Sequence, residues 1–155
     1  MKIFLHSLIY VFCFFGTTSY SLDVKWKIDG LAKPESAIYD RLTDSIYVSN
    51  IDGEALKLDK NGFISRISIN GNIIEKNWVD GLDGPKGMAI YNNFLFVSDI
   101  NKIWKISLKD KKMTYFKIND PGFLNDLAVD GKGNIYASDM SRNQIYILKN
   151  EKILI

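Results

Sequence analysis

A four-residue phrase that ends in serine occurs three times in this chain. It reads Ile-Tyr-Val-Ser at residues 46–49, Leu-Phe-Val-Ser at 95–98 and Ile-Tyr-Ala-Ser at 135–138. Its serines are separated by 49 and then 40 residues, and each is followed by Asn or Asp. Short runs of β-branched and aromatic residues are typical of strands. A repeat of this length, built from such strands, predicts an array of small antiparallel sheets, most simply a β-propeller.

Each repeat divides into short strands separated by turn residues, as a four-stranded propeller blade requires. The predicted strands are 36–39, 45–49, 63–69 and 73–78, then 87–91, 94–98, 103–108 and 113–118, then 126–129, 134–138, 144–148 and a truncated 153–155. The blades then cover about residues 31–80, 81–120 and 121–155. The first strand of each repeat is small and apolar, which predicts an innermost strand buried on both faces. Residues 51–62 have no counterpart in the other repeats and are predicted to be an inserted surface loop.

Three blades are too few to close a ring. Six blades of this period need roughly 240–290 residues, whereas 134 residues follow residue 21. We therefore expect a partial all-β propeller, about three blades of a six-bladed ring, from a truncated product. A half-propeller that pairs with a second copy is the less favoured alternative. Open blade edges in either case favour self-association.

The first 21 residues are predicted to be a signal peptide and not part of the domain, which occupies 22–155. Lys2 precedes an apolar stretch from Ile3 to Phe15, and Ser19 and Ser21 supply small residues before a cleavage site. A retained membrane anchor is the alternative, but the apolar stretch is shorter than the ~20 residues of a membrane span. The mature protein is therefore expected to be secreted or periplasmic, with no membrane span.

Cleavage there would remove the only cysteine and the only histidine, Cys13 and His6. The remaining chain could then form no disulfide and no nucleophile system that depends on histidine. A metal would need oxygen ligands, which favours Ca²⁺ or Mg²⁺. The charge is nearly balanced, with 20 Lys and Arg against 18 Asp and Glu. We therefore expect no nucleic-acid partner.

The residue just before each innermost strand should point toward the mouth of the central channel. Aligning the repeats places Glu35, Lys86 and Asn125 at this position. An acid, a base and an amide at equivalent positions are what a ligand pocket on a shared axis would show, although exposed loop residues would give the same pattern. Asn50, Asp99 and Asp139 recur after every second strand, and so we interpret them as structural residues that bind backbone N–H groups of the next turn.

Several phrases give the chain a family resemblance. They include Pro-Glu-Ser-Ala-Ile-Tyr-Asp at 34–40, Gly-Pro-Lys-Gly-Met at 84–88 and Leu-Asn-Asp-Leu-Ala-Val-Asp at 124–130. From about Leu31 onward the chain resembles the senescence-marker-protein/gluconolactonase (regucalcin-like) propellers, a group related to strictosidine-synthase-like and NHL propellers. The last blade alone would fit NHL repeats equally well.

This resemblance implies a six-bladed ring with one divalent cation at the channel mouth and hydrolysis of sugar lactones or related esters. Glu35 matches the metal-binding Glu of the family, and Asn125 matches a later channel Asn. Lys86 matches no known ligand and is assigned to the channel or the substrate, while Asp126 is a weak candidate for the catalytic proton acceptor. The cation would be Ca²⁺, with Mg²⁺, Mn²⁺ or Zn²⁺ as alternatives. A non-catalytic periplasmic propeller, which binds a ligand or a protein, is the alternative function.

Overall fold

The computed structural model describes residues 22–119 and 122–154, and these form twelve β-strands. The strands are β1 (Pro34–Asp40), β2 (Ser45–Asn50), β3 (Gly62–Ser68), β4 (Ile73–Leu82), β5 (Pro85–Tyr91), β6 (Phe94–Asp99), β7 (Lys102–Ser107), β8 (Met113–Lys117), β9 (Leu124–Val129), β10 (Ile135–Asp139), β11 (Gln144–Lys149) and β12 (Lys152–Leu154). They form three four-stranded sheets in the orders β1-β2-β3-β4, β5-β6-β7-β8 and β9-β10-β11-β12. Every pairing is antiparallel and joins strands consecutive in the chain.

The predicted fold class, a partial all-β propeller, is confirmed. Each predicted strand corresponds to an observed one, with ends that differ by a few residues at most. The largest difference is in β4, which continues to Leu82. Asp80-Gly81 resembles a turn in the sequence, but here Gly81 has a φ of 77° inside a strand whose pairing with β3 is irregular. A glycine can adopt that φ and lets the bulged strand continue. Residues 51–61 form the predicted inserted loop.

Two apolar clusters lie between the three sheets. One joins the first and second sheets, and among its buried members are Tyr47, Trp78 and Leu95. The other joins the second and third sheets and includes Phe96 and Ile135. Neighbouring residues of β6 thus enter opposite clusters, because successive side chains of a strand point to opposite faces. The middle sheet is buried on both faces, which explains the nearly continuous apolar sequence of β6.

The three innermost strands, β1, β5 and β9, surround a common groove. A cavity of about 620 Å³ is lined by residues 38–42, 88–93 and 127–129, which come from all three repeats. At Gly87 the backbone of β5 lies against that of β9. A Cβ atom built on Gly87 would lie 2.8 Å from the backbone nitrogen of Leu127 and closer still to Asp126. The close packing of β5 on β9 therefore requires glycine at residue 87.

The innermost strands differ in burial, and one expectation was wrong. β5 is buried from Pro85 to Ala89, since β1 and β9 cover it on its two sides. β1 is largely exposed, and its Tyr39 keeps 49% of its surface. Burial on both faces therefore holds for the middle blade and fails for the first and the third, because β5 packs on only one side of β1 and on only one side of β9, where Asp126 and Ala128 are exposed.

The predicted signal peptide at residues 1–21 lies outside the described residues. Over residues 22–119 and 122–154, no helix has the length and apolar character needed to cross a membrane.

Substituting Gly87 tests the close approach of the innermost strands. We expect Gly87→Ala to lower the free energy of unfolding by about 2 kcal/mol, because the added methyl group overlaps the β9 backbone. Urea unfolding followed by tryptophan fluorescence measures this change. Gly131→Ala is the matched control, since a Cβ atom there meets nothing within 4 Å. Equal stability of the two variants would contradict the packing of β5 on β9.

Candidate functional site

All three innermost strands begin with the same kind of β-bulge. In β1, Glu35 is an extra residue between the pairs Pro34–Asn50 and Ser36–Ser49. In β5 and β9, two residues oppose a single serine: Lys86 and Gly87 face Ser98, and Asn125 and Asp126 face Ser138. Bulges of this kind bend a strand and change the direction of a side chain. The three residues predicted at the channel mouth thus occupy equivalent bulges.

The repeated serine holds each bulge in place. The backbone N–H groups of Ser36 and Asp126 each donate to the serine hydroxyl of the next strand, in both cases at 3.0 Å. In the middle blade the Ser98 hydroxyl lies 2.6 Å from the carbonyl oxygen of Asn125 and 3.2 Å from that of Gly87. Ser98 therefore connects the second blade to the third and fixes the backbone of Asn125.

The Asn or Asp after each serine has a structural role, as predicted, but it binds backbone N–H groups before the innermost strand, and those of the next turn only at Asp139. Asn50 accepts the backbone N–H of Ala32, which lies just before β1. Asp99 accepts those of Asp83 and Gly84, and Asp139 accepts those of Gly122 and Phe123, which likewise precede an innermost strand. These side chains hold the segment that leads into the bulge of their own blade. Asp139 alone among the three also accepts from the turn that follows it, at Ser141 and Arg142.

Lys86 is fully buried, although it lies at the channel-mouth position. Its Nζ donates to the carbonyl oxygens of Gly84 at 2.7 Å and of Ala55 at 3.1 Å. The same ammonium lies 4.8 Å from the ring centroid of Phe123, within the range of a cation–π contact. Lys86 thus links the inserted loop of the first blade to the third blade. Burial lowers the pKa of Lys86, and the carboxylates of Asp99 and Glu35 act against this change.

Glu35 lies near both Lys86 and a second carboxylate, that of Asp126. Burial raises the pKa of Glu35, the charge of Lys86 lowers it, and the charge of Asp126 raises it further. These interactions bring Lys86 of the second blade and Asp126 of the third within electrostatic range of Glu35 in the first. Asp126 is exposed, and its Oδ1 accepts the backbone N–H of Leu127 at 2.8 Å. Its other oxygen is therefore available to a ligand.

The oxygen atoms at this mouth have the chemistry that a hard cation prefers, but they are few. Glu35, Asn125 and Asp126 offer carboxylate and amide oxygens, the ligand types of Ca²⁺, and two repelling carboxylates would be relieved by a cation. Ca²⁺ typically takes 6–8 oxygen ligands. Over residues 22–119 and 122–154, no group of three or more His, Cys, Asp or Glu side chains could hold a metal ion. The described residues therefore form no complete cation site by themselves.

Two features of this site were not predicted from the sequence. Phe123 carries no repeat signal, because the equivalent positions hold Lys33 and Gly84. Ala55 contributes a backbone carbonyl, which any residue of the inserted loop could have done. Neither feature produces a recognisable pattern in the sequence, so only the structure could reveal the contacts of Lys86 with Ala55 and Phe123.

Comparison with protein-family models gives no match, and neither does comparison with curated proteins. Solved structures do resemble the chain. A protein provisionally described as a gluconolactonase matches with a TM-score of 0.57 at 20% identity, over 76% of this chain and 44% of its own. Virginiamycin B lyase from Staphylococcus aureus also matches with a TM-score of 0.57 at 20% identity, over 78% of this chain and 40% of its own.

A catalytically inactive histidine-to-alanine variant of the same lyase, solved with quinupristin, matches with a TM-score of 0.52 at 18% identity, over 78% of this chain and 54% of its own. The chain thus spans about half or less of each solved protein. At these identities the likeness establishes the propeller fold. The resemblance to gluconolactonase-like propellers is confirmed at that level.

The raised pKa of Glu35 predicts a stability change that depends on pH. A carboxyl whose folded-state pKa exceeds its unfolded value of 4.5 stabilises the fold while protonated, and this stabilisation is lost as pH rises through the folded-state pKa. Gln cannot ionise, so Glu35→Gln should gain stability relative to the wild type between about pH 4 and pH 7. The gain should stay below about 1 kcal/mol, because solvent screens an exposed charge.

Urea unfolding of both proteins at the two pH values measures this gain. Glu54→Gln is the control, since Glu54 is exposed and has no ion pair among the described residues. A difference between Glu35→Gln and the wild type that stays constant with pH would contradict the electrostatic coupling at the mouth.

Proposed function

We propose that this protein is a gluconolactonase-like propeller that hydrolyses a sugar lactone or a related ester with the help of a divalent cation. The observation that carries the proposal is the set of equivalent bulges, which brings Glu35, Lys86 and Asp126 from three blades within electrostatic range. The fold of the solved neighbours supports this choice. Because the chain spans only part of their length, the remaining ligands would come from further blades of a longer protein.

In this proposal, each residue at the mouth has a distinct task. The Glu35 carboxylate and the Asn125 amide oxygen would hold the cation, for which Ca²⁺ is the first choice. Such a cation would supply Lewis-acid polarisation of the ester carbonyl. Asp126, exposed and beside Glu35, would accept a proton from the attacking water through its free oxygen. Lys86 would hold the backbone around the channel mouth in place, because its ammonium already contacts two backbone carbonyls and the ring of Phe123.

A non-catalytic binding propeller is the second candidate. The burial of Lys86 favours it, because a lysine committed to internal contacts cannot contact a substrate. The small number of carboxylates at the mouth favours it too. Such a protein would bind a small molecule or another protein on the propeller without changing it chemically.

We also propose that the protein is exported to the periplasm or secreted. The apolar stretch after Lys2 and the small residues Ser19 and Ser21 support this proposal. Fractionation of cells that express the full chain, with mass determination of the mature protein, would test it. Cleavage after Ser21 is the expected result, and an intact N-terminus on a protein found in the cytoplasm would contradict it.

Catalysis is tested by assaying a full-length version of the protein, with the further blades that would complete the ligand set, against gluconolactone and other sugar or homoserine lactones in the presence of Ca²⁺, Mg²⁺, Mn²⁺ or Zn²⁺. We expect hydrolysis above a control with a chelator, and a loss of roughly 100-fold in kcat/KM for Glu35→Gln and Asp126→Asn. Glu151→Gln should retain full activity. A rate that never exceeds the chelator control would contradict the hydrolase.

Binding of the cation can be tested without any activity. A ligand that binds only the folded protein raises its stability, by about 2.7 kcal/mol at a concentration 100 times Kd. Thermal unfolding with and without Ca²⁺ should therefore show a higher Tm for the wild type and a smaller shift for Glu35→Gln. A shift without hydrolysis would favour the binding propeller, and no shift would exclude a cation at Glu35.

A further inference from the structure

The third blade presents a face that is buried in the other two blades. The residue paired with the repeated serine is Ile64 in the first blade, Ile103 in the second and Ile145 in the third. Ile64 and Ile103 are fully buried, each in the apolar cluster that joins its blade to the next. Ile145, in contrast, keeps 53% of its surface exposed. The third blade thus carries a contact surface for a following blade, which the described residues do not supply.

The strand that carries Ile145 also has a free edge. In the part of the chain that the structure describes, β12 pairs only with Ile147–Lys149, and Gln144–Tyr146 have no outer partner strand. An unpaired edge offers backbone N–H and C=O groups to another strand. The exposed surface beside it, which we call the open face, follows from the alternation of side chains along each strand. It consists of Tyr136, Ile145, Ile147 and Leu154.

Residues 22–31 have the sequence of a strand but no partner strand. The apolar side chains of Leu22, Val24, Trp26 and Ile28 alternate with Asp and Lys, as they do in a strand with one buried face. The structure nevertheless includes these residues in no strand, and Leu22 and Val24 are almost fully exposed. We call residues 22–31 the N-terminal segment. Its pattern favours pairing with a free sheet edge.

The N-terminal segment repeats the end of β4. Asp-Gly-Leu-x-x-Pro occurs at 29–34 and again at 80–85, and each Pro begins an innermost strand. Gly30 and Gly81 have similar φ angles, 88° and 77°. β4 is the fourth strand of one blade and leads into the first strand of the next. The N-terminal segment leads into β1 in the same way, so it corresponds to the fourth strand of a preceding blade.

The N-terminal segment contacts both ends of the first sheet. The indole N–H of Trp26 donates to the carbonyl oxygen of Ile69 at 3.0 Å, and its ring lies against Gly71, in the turn between β3 and β4. At the other end of the sheet, the backbone N–H of Ala32 donates to Asn50. The segment therefore follows the first sheet from one end to the other.

β4 makes the equivalent contact with the second sheet. Lys111, in the turn between β7 and β8, pairs with Glu75 and lies 6.0 Å from the ring centroid of Trp78. The N-terminal segment is thus to the first blade what β4 is to the second. It lacks only the third strand with which β4 pairs.

We propose that two copies of this chain close into one ring. The N-terminal segment of each copy pairs with the free edge of β11 in the other, and the first blade of each copy covers the open face of the other. Each chain offers both complementary surfaces, so two contacts related by a twofold axis satisfy them all. Three blades from each copy give the six-bladed ring that the family resemblance implies.

The pairing does not depend on hydrolysis at the channel mouth. It joins two incomplete sets of mouth residues around one axis, since each copy contributes its own Glu35, Asn125 and Asp126. Further blades of a longer protein would cover the same surfaces, and so the proposal concerns the 155-residue chain by itself.

Sedimentation equilibrium of the protein purified after expression of the full chain measures the pairing. We expect twice the mass of one chain. Ile145→Asp should raise the dissociation constant of the dimer roughly tenfold or more, because a carboxylate would be buried without a partner. Tyr115→Asp is the control, since Tyr115 is equally exposed but lies on the second blade, away from both contacts. Circular dichroism checks that both variants fold. A wild type that is monomeric at every concentration, or a dimer that Ile145→Asp leaves unchanged, would overturn the proposal.

Introduced cysteines test the strand pairing itself. Val79 of β4 pairs with Ile64, and the two repeats make Ile28 the counterpart of Val79 and Ile145 that of Ile64. Ile28 of one copy should therefore lie opposite Ile145 of the other, within the distance that a disulfide spans. The double variant of Ile28→Cys and Ile145→Cys should give a covalent dimer on a gel without reductant.

Each single cysteine variant is the control for this experiment and should run as a monomer on the same gel, because identical positions lie in different contacts of the ring. No covalent dimer for the double variant would exclude the strand pairing. A ladder of larger products would show head-to-tail contacts that do not close, and would overturn the ring.

Discussion

The bulge that begins each innermost strand is the constraint on which the rest of the structure depends. A serine hydroxyl of the neighbouring strand holds the bulge, and an Asn or Asp one residue later holds the segment before it. Both groups are buried at Ser98 and Asp99. This arrangement fixes the direction of the residue at the channel mouth, whatever its type. The repeat therefore preserves a backbone geometry and leaves one side chain per blade free to differ.

Much of the fold could be predicted because its signals are local. Alternation of apolar residues, turn residues and the period of the serine phrase located all twelve strands. The innermost strands each begin two residues earlier than predicted, and β4 ends four residues later. Pro34 and Pro85 begin β1 and β5, and proline normally argues against a strand unless it is the first residue or lies at a bulge. Apart from these prolines, the sequence carries no signature of the bulge.

The candidate site was less predictable, since its geometry depends on contacts between blades. Alignment of the repeats gave Glu35, Lys86 and Asn125 as equivalent positions, and the structure places all three in equivalent bulges. The alignment could not show that the Lys86 ammonium donates hydrogen bonds to the backbone carbonyls of Gly84 and Ala55.

Lys86 shows that a different residue type at an equivalent position can have one of two causes, contact with a ligand in the channel or contacts inside the protein. Divergence among repeats indicates a ligand pocket only where the side chains face the channel. Lys86 faces the protein instead, and its buried charge lies near the carboxylates of Glu35 and Asp99. Such a charge must be compensated, because an unpaired buried ammonium is costly. Its charge in turn acts to lower the pKa of Glu35, and the proposed chemistry of the mouth rests on Glu35, Asn125 and Asp126.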